Sequence, residues 1–144
     1  MNNPSIQSKN AIKKTWRHLF IGILAIQAIL EFVVGSLILF AFPTALETGF
    51  GISYSSELDA LGIALGLYLF LLTALIVLSI LWTTKAKYSG ITLGIVVGIF
   101  LVAFGLVTFF KLGDFNAILV DGIRGLVTII LGYLAGKELK QQIG

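Results

Sequence analysis

Cysteine is absent from this 144-residue chain. Disulfides, thiol catalysis and thiolate metal sites are therefore excluded within it. A single histidine, His18, rules out bis-histidine haem ligation within the chain, and the sequence shows no triad or metal-cluster pattern around it. Charge is scarce: Asp, Glu, Lys and Arg make up 12% of the residues, whereas a soluble domain carries about twice that share. No phosphate-binding loop, dinucleotide fingerprint or nucleophile elbow is present. No His/Asp/Glu group has zinc-ligand spacing. These absences leave no catalytic residue and no metal ligand to nominate, and the chain reads as non-catalytic.

Apolar residues are abundant: 58% of the chain is hydrophobic. They fall in runs long enough to cross a bilayer, which takes about 20 residues. Four spans are expected, at about 19–42, 58–82, 90–112 and 117–135. With ~1.5 Å of rise per residue, runs of roughly 20 to 25 residues reach about 30 to 37 Å. The runs are continuous, whereas a membrane barrel strand alternates, so helices are indicated. The expected fold is all-α, a four-transmembrane-helix antiparallel bundle over 19–136. A tail at 1–18 precedes it and a tail at 137–144 follows. The first run is longer than the core of a cleaved signal peptide and is interrupted by Glu31, so it is expected to remain as an anchor.

Lys9, Lys13, Lys14 and Arg17 precede span one, Lys85 and Lys87 lie between spans two and three, and Lys137 and Lys140 follow span four. The other two connections hold Lys111 with Glu47, Glu57, Asp59 and Asp114. This bias predicts cytoplasmic termini, with Trp16, Trp82 and Tyr88 at that interface and Phe50 and Tyr54 at the other. The net charge of +3 is thus a topology signal with weak attraction to anionic lipid, and nucleic acid is not an expected partner. Met1 to about Ile12 reads as a polar tail. Pro43 should end or bend the first helix. Thr44 to Glu57 reads as an ordered loop or short surface helix, and the turns at Thr83–Ser89 and Gly113–Asn116 are tight.

Glycines recur at helical spacing. Gly62 and Gly66 mark span two, Gly90, Gly94, Gly98 and Gly105 span three, and Gly125 and Gly132 span four, followed by Gly136. Such stripes let helix backbones approach closely, as in a glycine zipper, either inside the bundle or against a second copy of the chain. Polar residues share these faces: Gln27, Glu31 and Gly35 on span one, Asp59 and Thr73 with the glycines of span two, Thr108 on span three, and Asp121, Arg124 and Thr128 on span four.

Glu31 and Arg124 are the informative pair. A lone charge at bilayer depth is costly, so each should face a partner or a wet cavity. Counted from the outer ends of their spans, Arg124 lies roughly 10 Å deep and Glu31 roughly 16 Å deep. That difference is within reach of an arginine side chain. Gln27, Thr128 and Asp121 are further candidates for the same network, with Thr73 near it. Three readings remain open at this point: polar glue between helices, a pocket for a ligand or headgroup, and a proton or ion path.

The short basic N-terminus, the Phe42-Pro43 end of span one, the run Gly62-Ile-Ala-Leu-Gly-Leu-Tyr-Leu69 and Asp121-Gly-Ile-Arg-Gly125 resemble small bacterial four-helix DoxX-like membrane proteins. That resemblance implies a bacterial inner-membrane protein, associated with quinone-linked redox or oxidative-stress systems. The first-span Arg and Gly-rich pattern of that family is replaced here by Glu31. The expected roles are a non-catalytic bundle that binds a ligand or partner subunit, a quinone-interacting subunit of a redox complex, or a small oligomeric proton-coupled transporter.

Overall fold

The computed structural model describes residues 15–50, 53–113 and 115–143. The polar tail Met1–Ile12, Lys9, Lys13, Lys14, Gly51, Asp114 and the side chain of Phe50 lie outside the described residues. Four long helices form: α1 (Thr15–Phe40), α2 (Asp59–Thr84), α3 (Tyr88–Leu112) and α4 (Ile123–Ile143). With the short turns that extend them, all four are long and apolar enough to cross a membrane. No strand occurs among the described residues. The molecule is a multi-pass four-helix bundle, in which α1 packs on α2, α2 on α3, α3 on α4, and α4 closes on α1.

The helix ends follow local chemistry. α1 stops at Phe40 because Ala41 leaves the helical region (φ −135°, ψ 38°) and Pro43 opens the next short helix, Phe42–Ala45. Proline has no N–H to continue the ladder, yet suits a first turn. Leu46–Phe50 then forms a wider, π-type turn. The connection expected to be a loop or surface helix is therefore largely helical up to Phe50. α2 ends in a two-bond cap: Lys87 N–H donates to the Trp82 carbonyl at 2.9 Å and Ala86 N–H to Thr83 at 3.0 Å. Ala86 holds the left-handed position of this cap, with φ 55°, where glycine is the usual residue. α3 ends at Gly113 (φ 70°), whose N–H reaches the Phe109 carbonyl at 2.8 Å.

Lipid demands little of a helix surface, so the outward faces are mainly apolar and packing falls to the small residues. Gly35 of α1 faces Leu69, and a Cβ there would lie 3.1 Å from the Leu69 Cβ. Gly66 meets Leu39, and the Phe42 ring covers Gly62. Between α3 and α4, a Cβ on Gly98 would lie 2.9 Å from the Gly125 carbonyl oxygen. Gly90 packs on Thr83 and Ser79, and Gly94 and Gly132 both meet the Phe20 ring. These stripes thus touch helices of the same bundle.

The interior has two halves. Toward the end that carries Thr15 and Ile143, all four helices share one core: Phe20, Leu24, Ile76, Ile91, Ala135 and Leu139 belong to it and are buried. At the far end, among the described residues, the second core joins the α1 and α2 segments, through Ile38, Phe42, Leu46 and Leu69. There the lead-in to α4 leans on α3 instead. The far half is therefore two helix pairs standing apart, with space between them.

α4 also runs further than composition suggests. It continues through Ile143, and Glu138 and Leu139, within the stretch read as a tail, are 5% and 2% exposed. Glu138 accepts the Arg17 backbone N–H at 3.1 Å, joining α4 to the start of α1. The signal was present: Glu138 lies about four helical turns after Arg124, on the same face. The neighbouring lysines disguised it as part of a solvated tail.

Candidate functional site: a charged cleft between two helix pairs

The gap at the far end is a cleft of about 560 Å³. Every long helix or its lead-in contributes: Leu30, Glu31, Val34 and Ile38 from α1, Leu65, Tyr68, Leu69 and Leu72 from α2, Leu101, Phe104 and Thr108 from α3, and Asn116, Ala117, Val120, Asp121 and Arg124 from the last span. Leu72 and Leu101 also belong to the shared core, so that core is the floor of the cleft. The rings of Tyr68 and Phe100, 5.9 Å apart, link α2 and α3 near the same level. Leu30, Val34, Phe104 and Val120 line the cleft and are still between 42% and 53% exposed. The cleft therefore opens sideways, onto surface that lipid would cover.

Its polar wall is compact. Arg124 Nη2 donates to Glu31 Oε1 at 2.6 Å and to Asp121 Oδ1 at 2.8 Å. One nitrogen thus serves both carboxylates, and Arg124 Nε is buried with no acceptor among the described residues. Beneath the trio, Gln27 Nε2 donates to Thr128 Oγ1 at 2.7 Å, and Thr128 Oγ1 donates to the Arg124 carbonyl at 2.8 Å. Gln27 and Thr128 are fully buried and Glu31 is 6% exposed. A buried pair of this kind is worth little net stability against an apolar replacement, but removing one partner is costly. All three charged side chains line the cavity.

Backbone shape places these groups. Phe115–Ala117 runs into a π-type turn, Ile118–Gly122, before α4 begins. Such turns frequently mark functional sites. The wider winding draws residues four apart toward one line, so Asn116, Val120 and Arg124 face the cleft together. Gly105 admits this turn: a Cβ there would stand 2.8 Å from the Ala117 carbonyl oxygen and 3.0 Å from the Gly122 nitrogen. Asp121 lies within the turn, three residues before Arg124, a spacing at which side chains meet.

Of the residues singled out in the sequence, Gln27, Glu31, Asp121, Arg124 and Thr128 come together. Thr73 does not. Its hydroxyl donates to the Leu69 carbonyl of its own helix at 2.9 Å, a bond threonine makes readily within helices, and it does not line the cleft. Asn116 was missed because it read as a turn residue. Tyr68 and Thr108 were visible as polar residues within spans, but only the separation of the helix pairs makes them part of a wall. Ser79 makes a smaller polar contact near the opposite end, where its Oγ donates to the Gly90 carbonyl at 2.6 Å, while the buried Thr83 Oγ1 has no hydrogen-bond partner among the described residues. Among the described residues, no group of three or more His, Asp or Glu side chains is placed to hold a metal ion.

Comparison with family models, with curated proteins and with solved structures found no match for this chain.

Proposed function

We propose that this multi-pass membrane protein is a non-catalytic binding bundle whose cleft holds an amphipathic molecule or the matching part of a partner subunit. One observation carries the reading: a mainly apolar cavity of ligand size, about 560 Å³, with its charged groups gathered in one cluster of Glu31, Asp121 and Arg124. Ligand pockets typically span ~300–1,000 Å³ and combine apolar lining with a few convergent polar groups. The side openings suit a guest that arrives through the bilayer. The resemblance to DoxX-like proteins favours a bacterial inner membrane, and the distribution of basic residues favours cytoplasmic termini.

A second reading gives the cleft a quinone headgroup, with electrons supplied by another subunit. Both carboxylates occupy Nη2 of Arg124, and the buried Nε has no acceptor among the described residues, so a quinone carbonyl would supply an acceptor to this guanidinium if the side chain turned toward it.

Native mass spectrometry from a mild detergent tests the binding reading. The wild-type protein is expected to carry an apolar adduct acquired from membrane extract. Leu65→Trp, which fills the cleft, is expected to lose it while keeping its helical circular dichroism. A wild type without an adduct, or an adduct unchanged in the folded variant, overturns the proposal. A redox-active adduct favours the quinone reading.

A further inference from the structure

We infer that the cleft selects a lipophilic cation. The inference rests on the cleft being a binding site and adds the charge of its guest. The ionisable groups that line it are Glu31 from α1, Tyr68 from α2, and Asp121 and Arg124 from the last span; α3 contributes none. A tyrosine phenol is neutral at pH 7. One guanidinium therefore faces two carboxylates, and the wall carries one excess negative charge when these groups are ionised.

Arg124 has no free charge to offer an anion. Its Nη2 is held at 2.6 Å by Glu31 and at 2.8 Å by Asp121. An anionic head entering from the bilayer would meet those carboxylates in surroundings of low dielectric, where like charges repel strongly. A neutral head gains hydrogen bonds but leaves the excess charge unanswered. A single positive charge on an apolar body answers both features at once: the carboxylates balance the head, and Leu30, Val34, Leu65, Phe104 and Val120 cover the body. Tyr68 and Phe104 add ring faces that attract cations. The surface at the same end has the same sign. Glu47, Glu57 and Asp59 are exposed there, with Lys111 the opposing charge among the described residues, so the local field favours cation approach.

Three probes of similar shape and different charge decide the matter: tetraphenylphosphonium, tetraphenylborate and triphenylphosphine oxide. Each is measured by equilibrium dialysis against the protein in neutral detergent micelles, with uptake by protein-free micelles subtracted. The phosphonium is expected to bind at least ten-fold tighter than the borate and the phosphine oxide. Asp121→Asn, which keeps the Arg124–Glu31 pair, is expected to cut that preference about ten-fold. Asn116→Asp, which adds a carboxylate to the same wall, is expected to tighten the phosphonium several-fold. Equal or tighter binding of the borate or the phosphine oxide, with no response to either variant, overturns the charge selection and leaves the cleft reading standing. Failure of all three probes to bind overturns both.

Discussion

Arg124→Gln is expected to destabilise the bundle by about 3–5 kcal/mol, the cost of leaving a buried charge without its partner. Glu31→Gln is expected to cost about 1 kcal/mol or less. The asymmetry comes from the arrangement on Nη2. Arg124 is shared, at 2.6 Å from Glu31 and 2.8 Å from Asp121, so its loss strands two carboxylates in a cleft lined mainly by hydrocarbon. Losing the Glu31 charge leaves Arg124 paired with Asp121, and a glutamine carbonyl can still accept from Nη2. What disappears is the charge-assisted part of one hydrogen bond, about 1 kcal/mol, offset by no longer burying a carboxylate that is 6% exposed. The double variant Glu31→Gln/Arg124→Gln should recover part of the Arg124 loss, because one stranded charge is gone. The assay is reversible unfolding in mixed micelles of a mild detergent and dodecyl sulfate, followed by circular dichroism. Equal losses for the two single variants, or a larger one for Glu31→Gln, would refute the shared-donor account.

Other consequences are open to direct measurement in the same assay. Gly125→Ala is expected to cost about 1–3 kcal/mol through overpacking, because the new Cβ meets the Gly98 carbonyl and, at 2.8 Å, the Val102 nitrogen, both backbone. Gly22→Ala, which meets nothing within 4 Å, is expected to be neutral or to stabilise by up to about 1 kcal/mol through helix propensity; similar losses for the two would contradict the packing assignment. Ala86→Gly should stabilise by about 1 kcal/mol by relieving a left-handed alanine, and a loss would show that the α2–α3 cap is misassigned. Tyr54 donates to Asp59 Oδ1 at 2.7 Å, and this bond to a carboxylate raises its pKa above the ordinary tyrosine value. A carbon-13 titration should therefore place Tyr54 ionisation above that of Tyr54 in Asp59→Asn; identical curves would remove the bond.

The four-helix architecture was legible in the sequence because the apolar runs have bilayer length and the turns between most of them are short. Glu31 and Arg124 were equally visible, since ionisable residues inside such runs are rare, and a depth count along two helices was enough to make them neighbours. The cleft was not legible. It exists because the far half of the bundle separates into pairs, which depends on the π-type turn at Ile118–Gly122 and on the contact that Gly105 permits. The turn leaves no periodicity mark, and Gly105, although it belongs to the glycine stripe of its span, does not reveal in sequence which backbone it admits. Thr73 shows the opposite limit: helical spacing placed it on an inward face, but its own backbone offered its hydroxyl a nearer acceptor.

Phe20 is fully buried, with its ring against both Gly94 and Gly132, in the half of the molecule where the interior is solid. In this conformation the cleft is a cul-de-sac. The shared core of Phe20, Leu24, Ile76 and Ile91 closes it toward the end that carries Thr15 and Ile143. If the cleft holds a guest as proposed, that guest stays at one end of the bundle, and passage to the opposite end would require the Phe20 ring to swing out from between two glycines.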